Sequence, residues 1–155
     1  MDGWLRAIRW LLLGGWLGSW ALFALVIAPT AFRVLPSGEI AGALVAPVLR
    51  TLHLYGLTAG VLLSAIAFSF RTPGRALLIA LPAGLALLCA VTEFGITTAI
   101  SEIRPSTFAA NTPEGAAERF GVLHQISRGL FASILAGVAL LTVLHSRDDR
   151  NTPQE

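Results

Sequence analysis

The sequence has no lysine among its eleven basic residues, one cysteine, one tyrosine and one methionine, and only 13% of its residues are charged. Each shortage removes a class of protein. A lone cysteine, Cys89, cannot close an internal disulfide and supplies no cysteine-based metal motif. The only methionine is Met1, so a thioether copper site lacks ligands. A net charge of +2 makes no case for nucleic acid as a partner. Soluble domains carry about 25% charged residues. A chain of 155 residues that is 55% hydrophobic cannot hide that much apolar surface in one water-soluble core. The exclusive use of arginine excludes nothing.

What is present is a series of long apolar blocks, with a mean hydropathy of +0.72 over the chain. The first runs from Trp10 to Phe32, long enough at ~1.5 Å per residue to cross a hydrocarbon core of ~30 Å. It exceeds the ~7–15 apolar residues of a cleaved leader, and "IAPTAF" is a poor cleavage site, so it reads as a retained helix with Pro29 near its far end. The second block, residues 37 to 70, exceeds one span; it is either one protruding helix or a short interfacial helix leading in near Pro47. The third runs from Ala76 to about Ile100, and the fourth from about Glu118 to His145. Between them "SEIRPSTFAANTPEGAAERF" reads as a polar loop, with Thr112-Pro113-Glu114 as a helix start. Neither a repeat nor a soluble domain is evident. The expectation is an all-α membrane protein: one four-helix transmembrane bundle over residues 1–146, its second and fourth helices extending beyond the outer face. Residues 147–155 form a short polar tail without fixed structure.

Four spans put both termini on one side. That side receives Arg6, Arg9, Arg71, Arg75, Arg147 and Arg150, and the opposite side Arg33, Arg104 and Arg119. The positive-inside rule then gives an inner-membrane protein with cytoplasmic termini.

Against this apolar background the ionisable residues fall at one level. Counted at ~1.5 Å per residue from the cytoplasmic ends marked by Arg71, Arg75 and Ser146, Arg50 stands ~31 Å up its helix, His53, Glu93 and Arg128 ~27 Å, and His124 ~33 Å. Three helices thus bring charge to the outer edge of the hydrocarbon, where it is less costly than at mid-bilayer. Arg50 and His53 are three residues apart, and His124, Ser127 and Arg128 follow at i, i+3 and i+4, so each set shares a face. Glu93 is placed to neutralise Arg50 or Arg128. The candidate site is therefore a polar pocket of Arg50, His53, Glu93, His124, Ser127 and Arg128, or else a purely structural polar layer with snorkelling arginines.

His53 and His124 are the minimum for bis-imidazole haem or a transition metal, though no carboxylate or thiolate set of ligand spacing accompanies them and two arginines repel a cation. The expectation is no cofactor, with haem as the alternative. His124 and Ser127 do not make a hydrolase, lacking an orienting acid and an elbow. A proton or anion route remains open, since two arginines and two histidines create positive potential at an outward vestibule.

Small residues mark helix packing. Gly14-x3-Gly18 and Gly15-x3-Ser19 form ridges on the first helix, and Gly56, Gly60 and Ser64 one on the second that is a candidate mate for the first. Contact within the bundle is the first reading and homo-oligomerisation the second.

The stretch from Gly14 to Gly56 resembles the opening of the transmembrane protein 205-like family, whose bacterial members form domain of unknown function 4149. The resemblance rests on Trp16-x-Gly18, Phe32, Leu35-Pro36, Ala41-Gly42 and Pro47, and later on Phe120, His124 and Ser127 in "RFGVLHQIS". It implies a small four-helix integral membrane protein without a catalytic reaction; eukaryotic relatives are associated with platinum-drug resistance. The chain departs from the family at the end of the third helix, where Glu93 and a later Pro105 stand in place of Asn and a proline-containing segment. A loose likeness to copper-resistance membrane bundles is the only further support for haem. The expected function is a non-enzymatic structural or partner-binding membrane subunit, with the lipid bilayer, a second copy or another membrane protein as partner. Alternatives are a small-solute, proton or anion permeation element and a haem-bearing electron-transfer subunit.

Overall fold

The computed structural model describes residues 3–69, 74–107 and 114–151. All regular elements among them are helical: α1 (Gly3–Leu22), a π turn (Phe23–Ile27), α2 (Ala28–Val34), α3 (Gly38–Ala67), α4 (Arg75–Val91), a second π turn (Thr92–Thr97), α5 (Thr98–Thr107) and α6 (Ala116–Asn151). They make four rods long and apolar enough to cross a membrane: Gly3–Val34, Gly38–Ala67, Arg75–Ile103 and Ala116–Arg147. The first rod packs on α3, α3 most extensively on α4, α4 on α6, and α6 back on α1, which closes a four-helix bundle.

The local chemistry explains the boundaries. Pro29 has no N–H for the carbonyl one turn back, and the π turn immediately before it absorbs the misfit, so the first rod continues to Val34. Leu35–Ser37 then connects to α3, whose first turn is capped by Ser37 Oγ accepting from the Ile40 amide at 3.3 Å. Pro47 neither splits nor ends α3, which is one helix of 30 residues, about 45 Å long. The third rod passes Ile100 and runs on to Thr107, so the first part of the expected polar loop is helical. Thr112 and Pro113 of the expected helix start lie outside the described residues; α6 begins after Gly115, the one described residue with positive φ, at +80°. The largest departure is at the other end. The stretch from Ser146 onward, expected to lack fixed structure, continues α6 as far as Asn151.

Each rod buries a stripe of 3.6-residue period. On α1 and its π turn it is Arg9, Leu13, Trp16, Trp20 and Phe23; on α6 it is Ser127, Ile134, Val138, Leu141 and His145. Trp16 and Trp20 are fully buried, whereas Trp4 is exposed, so the tryptophans divide between packed and exposed positions. Trp20 stacks on Phe131 at 4.4 Å and meets His53 edge-on at 5.5 Å, joining three rods.

The glycine ridge of α3 has a different mate from the one expected. A Cβ at Gly60 would stand 2.6 Å from the Pro82 carbonyl oxygen and 2.8 Å from Ala86 Cβ, and one at Gly56 would stand 2.8 Å from Cys89 Sγ and 2.9 Å from Trp16 Nε1. The ridge therefore receives α4, with the Trp16 indole wedged beside it. Ser64 Oγ lies 2.8 Å from the Gly60 carbonyl and 3.0 Å from that of Ile79, bonding the same two helices. Gly15 faces Tyr55, whose hydroxyl donates to the Leu12 carbonyl at 3.2 Å. Gly14 and Gly18 have nothing within 4 Å of a Cβ position and face outward.

Gly60→Ala should lower thermal stability in detergent by about 1–3 kcal/mol, because the obstacle is backbone. Gly14→Ala should leave the melting temperature unchanged. Equal effects would mean that α3 and α4 do not meet at this ridge.

Candidate functional site

Glu93 is the second residue of the second π turn. The turn opens with Thr92, whose hydroxyl donates to the Leu88 carbonyl at 2.8 Å, and the Thr98 hydroxyl lies 3.4 Å from the Glu93 carbonyl. A π turn shifts the side-chain register by one residue, and such turns concentrate at functional positions in helices. Here Glu93 is 7% exposed.

Its two carboxylate oxygens are used separately. Oε2 lies 3.2 Å from His53 Nδ1, inside the bundle. Oε1 lies 3.6 Å from Arg50 Nε, at its edge. The environments of the two partners differ sharply: His53 is 1% exposed, the Arg50 side chain 67%. Arg50 therefore keeps most of its side chain exposed and meets the carboxylate from outside the bundle. With Glu93 ionised, neutral His53 donates from Nδ1, and Nε2 faces the interior without a hydrogen-bond partner among the described residues. The indole nitrogens of Trp16 and Trp20 are in the same condition.

The structure thus joins three of the six candidate residues, Arg50, His53 and Glu93, and brings buried Ser127 into the same interior face. His124 and Arg128 are exposed. The inward face of the outer half of α6 runs through Ala116, Phe120, Leu123 and Ser127, and His124 and Arg128 each follow an inward residue by one position, about 100° around the helix. His124 stacks on Phe120 with ring centroids 5.9 Å apart. No ion pair joins Arg128 to Glu93; that carboxylate is taken by Arg50 and His53. For bis-imidazole ligation the two histidines have separate environments, one walled in by Trp20 and Glu93 and the other on the exposed side of α6. Among the described residues no set of three metal-ligating side chains forms.

A second polar cluster, which the sequence reading did not propose, lies at the opposite end of the bundle. Arg9, fully buried, forms an ion pair with Asp149, and Trp10 Nε1 donates to the other carboxylate oxygen at 2.9 Å. The Arg9 guanidinium also lies over the Trp10 ring, 5.7 Å from its centroid. His145, fully buried one turn before Asp149, feels both charges. The clasp fastens the first rod to the last and places the two ends of the described chain together. A signal existed: the stripe Ile134, Val138, Leu141 continues in phase through His145 to Asp149, and the α1 stripe begins at Arg9.

Burial alone would raise the Asp149 carboxyl. The hydrogen bonds from Arg9 and Trp10, with the positive charges of Arg9 and Arg6, outweigh it and hold the group below its ordinary value. A carboxylate depressed on folding stabilises the fold above its unfolded pKa, and that contribution is lost as pH falls through the folded value. Thermal melts in detergent should therefore show wild-type stability declining on the acid side of the ordinary carboxylate range. Asp149→Asn should begin lower at neutral pH and lose less on acidification. Parallel curves would mean that the clasp contributes nothing. Comparison of the chain with protein-family models, with curated proteins and with solved structures returned no match.

Proposed function

We propose that this chain is a non-enzymatic subunit of the inner membrane, with both termini in the cytoplasm, whose role is to hold a membrane partner. The supporting observation is that the buried carboxylate has its partners within the chain while a cation on the last helix is exposed. Glu93 is matched by Arg50 and His53, the bundle centre is filled by Trp16, Trp20 and Leu63, and what is left on offer is the outer half of α6. There Gln125 and Arg128 are exposed, on a helix of 36 residues, about 54 Å, longer than a ~30 Å hydrocarbon core. An exposed cation meets an acidic partner face at little desolvation cost. The resemblance to the transmembrane protein 205-like family agrees with a small four-helix protein of this kind.

A permeation role is the second reading, favoured by a buried carboxylate–imidazole pair on a π turn within a membrane span. Haem is the third; a Soret band in the visible spectrum of the purified protein would support it.

Two measurements test the leading reading. A fluorescent protein fused after Glu155 should fluoresce, and an export-dependent phosphatase fused there should be inactive; the reverse pattern would overturn the orientation. Arg128→Glu should dissociate the assembly extracted from native membranes while leaving the melting temperature of the isolated chain unchanged. A wild-type chain that emerges alone, at 16.4 kDa plus bound lipid, would sink the partner-holding role.

A further inference from the structure

We propose that the His53–Glu93 pair is a proton-binding site at the membrane face opposite the termini, and that a proton and the Arg50 guanidinium compete for it. This goes beyond the partner-holding role and does not depend on it.

The argument is one of charge. With His53 neutral and Glu93 ionised, the pair carries one negative charge in a setting 1% and 7% exposed. Something must compensate it. Arg50 does so with one long contact, 3.6 Å through Nε, from a side chain that is two-thirds exposed. That is a weak hold, well short of the bidentate geometry of a committed arginine–carboxylate pair. The alternative compensation is a proton. It arrives from water at the rim and binds at Glu93 Oε1, the oxygen turned toward Arg50, since Oε2 already faces His53. No covalent bond is broken. One O–H bond forms, the pair goes from one negative charge to none, and the Arg50 contact loses its reason.

The surroundings permit the exchange. On α3 the facing groups are Arg50 and His53. On the third rod they are Glu93 and Thr92, on α1 the uncharged Trp20, and on α6 the uncharged Ser127 and Phe131, with His124 and Arg128 exposed on the flank of that helix, about 100° from its inward face. No second acid among the described residues pairs with Arg50. Once released, its guanidinium stands at headgroup level, where an anionic phosphate group is the matching ligand. Binding is reciprocal: whatever holds Arg50 away from Glu93 must raise the affinity of the pair for a proton.

Infrared difference spectra between acid and neutral pH, recorded on the full chain in lipid nanodiscs, read this directly. A protonated-carboxyl band should appear on acidification, be lost in Glu93→Gln and shift in frequency in Glu93→Asp. Arg50→Gln should raise proton affinity about tenfold, the low end of what an adjacent opposite charge is worth, because Arg50 is mostly exposed. Replacing zwitterionic phosphatidylcholine with anionic phosphatidylglycerol should raise the affinity of the wild type by more than that of Arg50→Gln, in which only the surface potential acts. The same rise on adding inorganic phosphate to phosphatidylcholine discs would assign the ligand as free phosphate rather than a headgroup. A band that survives both Glu93 substitutions unchanged, or a midpoint unmoved by Arg50→Gln, overturns the proposal. A wild type indifferent to both phosphate sources overturns the capture of Arg50 while leaving the competition intact.

Discussion

A carboxylate surrounded by lipid-facing helices has to find positive charge within a few ångströms, because neither acyl chains nor packed side chains replace its water. Glu93 imposes that constraint, and much of the outer half of the bundle follows from it. His53 must face inward from α3 to reach Oε2. Arg50, three residues earlier, must fold its stem along the helix to bring Nε beside Oε1 while its charge remains at the rim. Trp20 then closes over His53 and binds Phe131 of α6 on its other side. The π turn belongs to the same solution, since it inserts a residue that changes which side chain of the third rod points inward at this level.

Below that level the constraint changes from charge to shape. Between helices in lipid there is no hydrophobic gain beyond what the acyl chains already offer, so close contact rests on dispersion and small residues. Gly56 and Gly60 let α3 approach the Pro82 carbonyl and Ala86, and the gap left on the other side is filled by Trp16. Trp16, fully buried, lies against both glycines.

The four spans were legible because hydropathy and length suffice for them; the first, third and fourth rods contain the apolar blocks read from the sequence and run beyond them, while the second, Gly38–Ala67, lies within its block. What stayed hidden has identifiable causes. Spacing placed Arg50 and His53 together, and they do share a partner, but i, i+3 and i, i+4 relations tolerate about 100° of rotation, enough to leave His124 and Arg128 outside. The π turns are invisible to any argument that assumes 3.6 residues per turn throughout. The Gly56–Gly60 mate could not be chosen by small-residue pattern, since α1 and α4 were both neighbours and only α4 brought a carbonyl and an alanine to the right height. By composition "SRDDR" reads as a loose tail; its phase with the buried stripe of α6 is the better guide.

The two polar clusters together resolve a question that apolar packing leaves open. A smooth hydrophobic helix can slide along its neighbours at small cost, since one leucine replaces another in each hole. The first rod cannot. At one end Arg9 and Trp10 are fastened to Asp149 of α6, and eleven residues further, about 16 Å up the helix, Trp20 is held between His53 and Phe131. A shift of one turn, about 5.4 Å, would strip Arg9 of this partner and drive Trp20 out from between the two rings. Buried polar groups are weak evidence of stability, but they are good determinants of register, as a single polar residue is in a coiled coil. Arg9 near one end of the first rod and Trp20 at its middle fix its height against α3 and α6, and with it the position of Trp20 beside the His53–Glu93 pair.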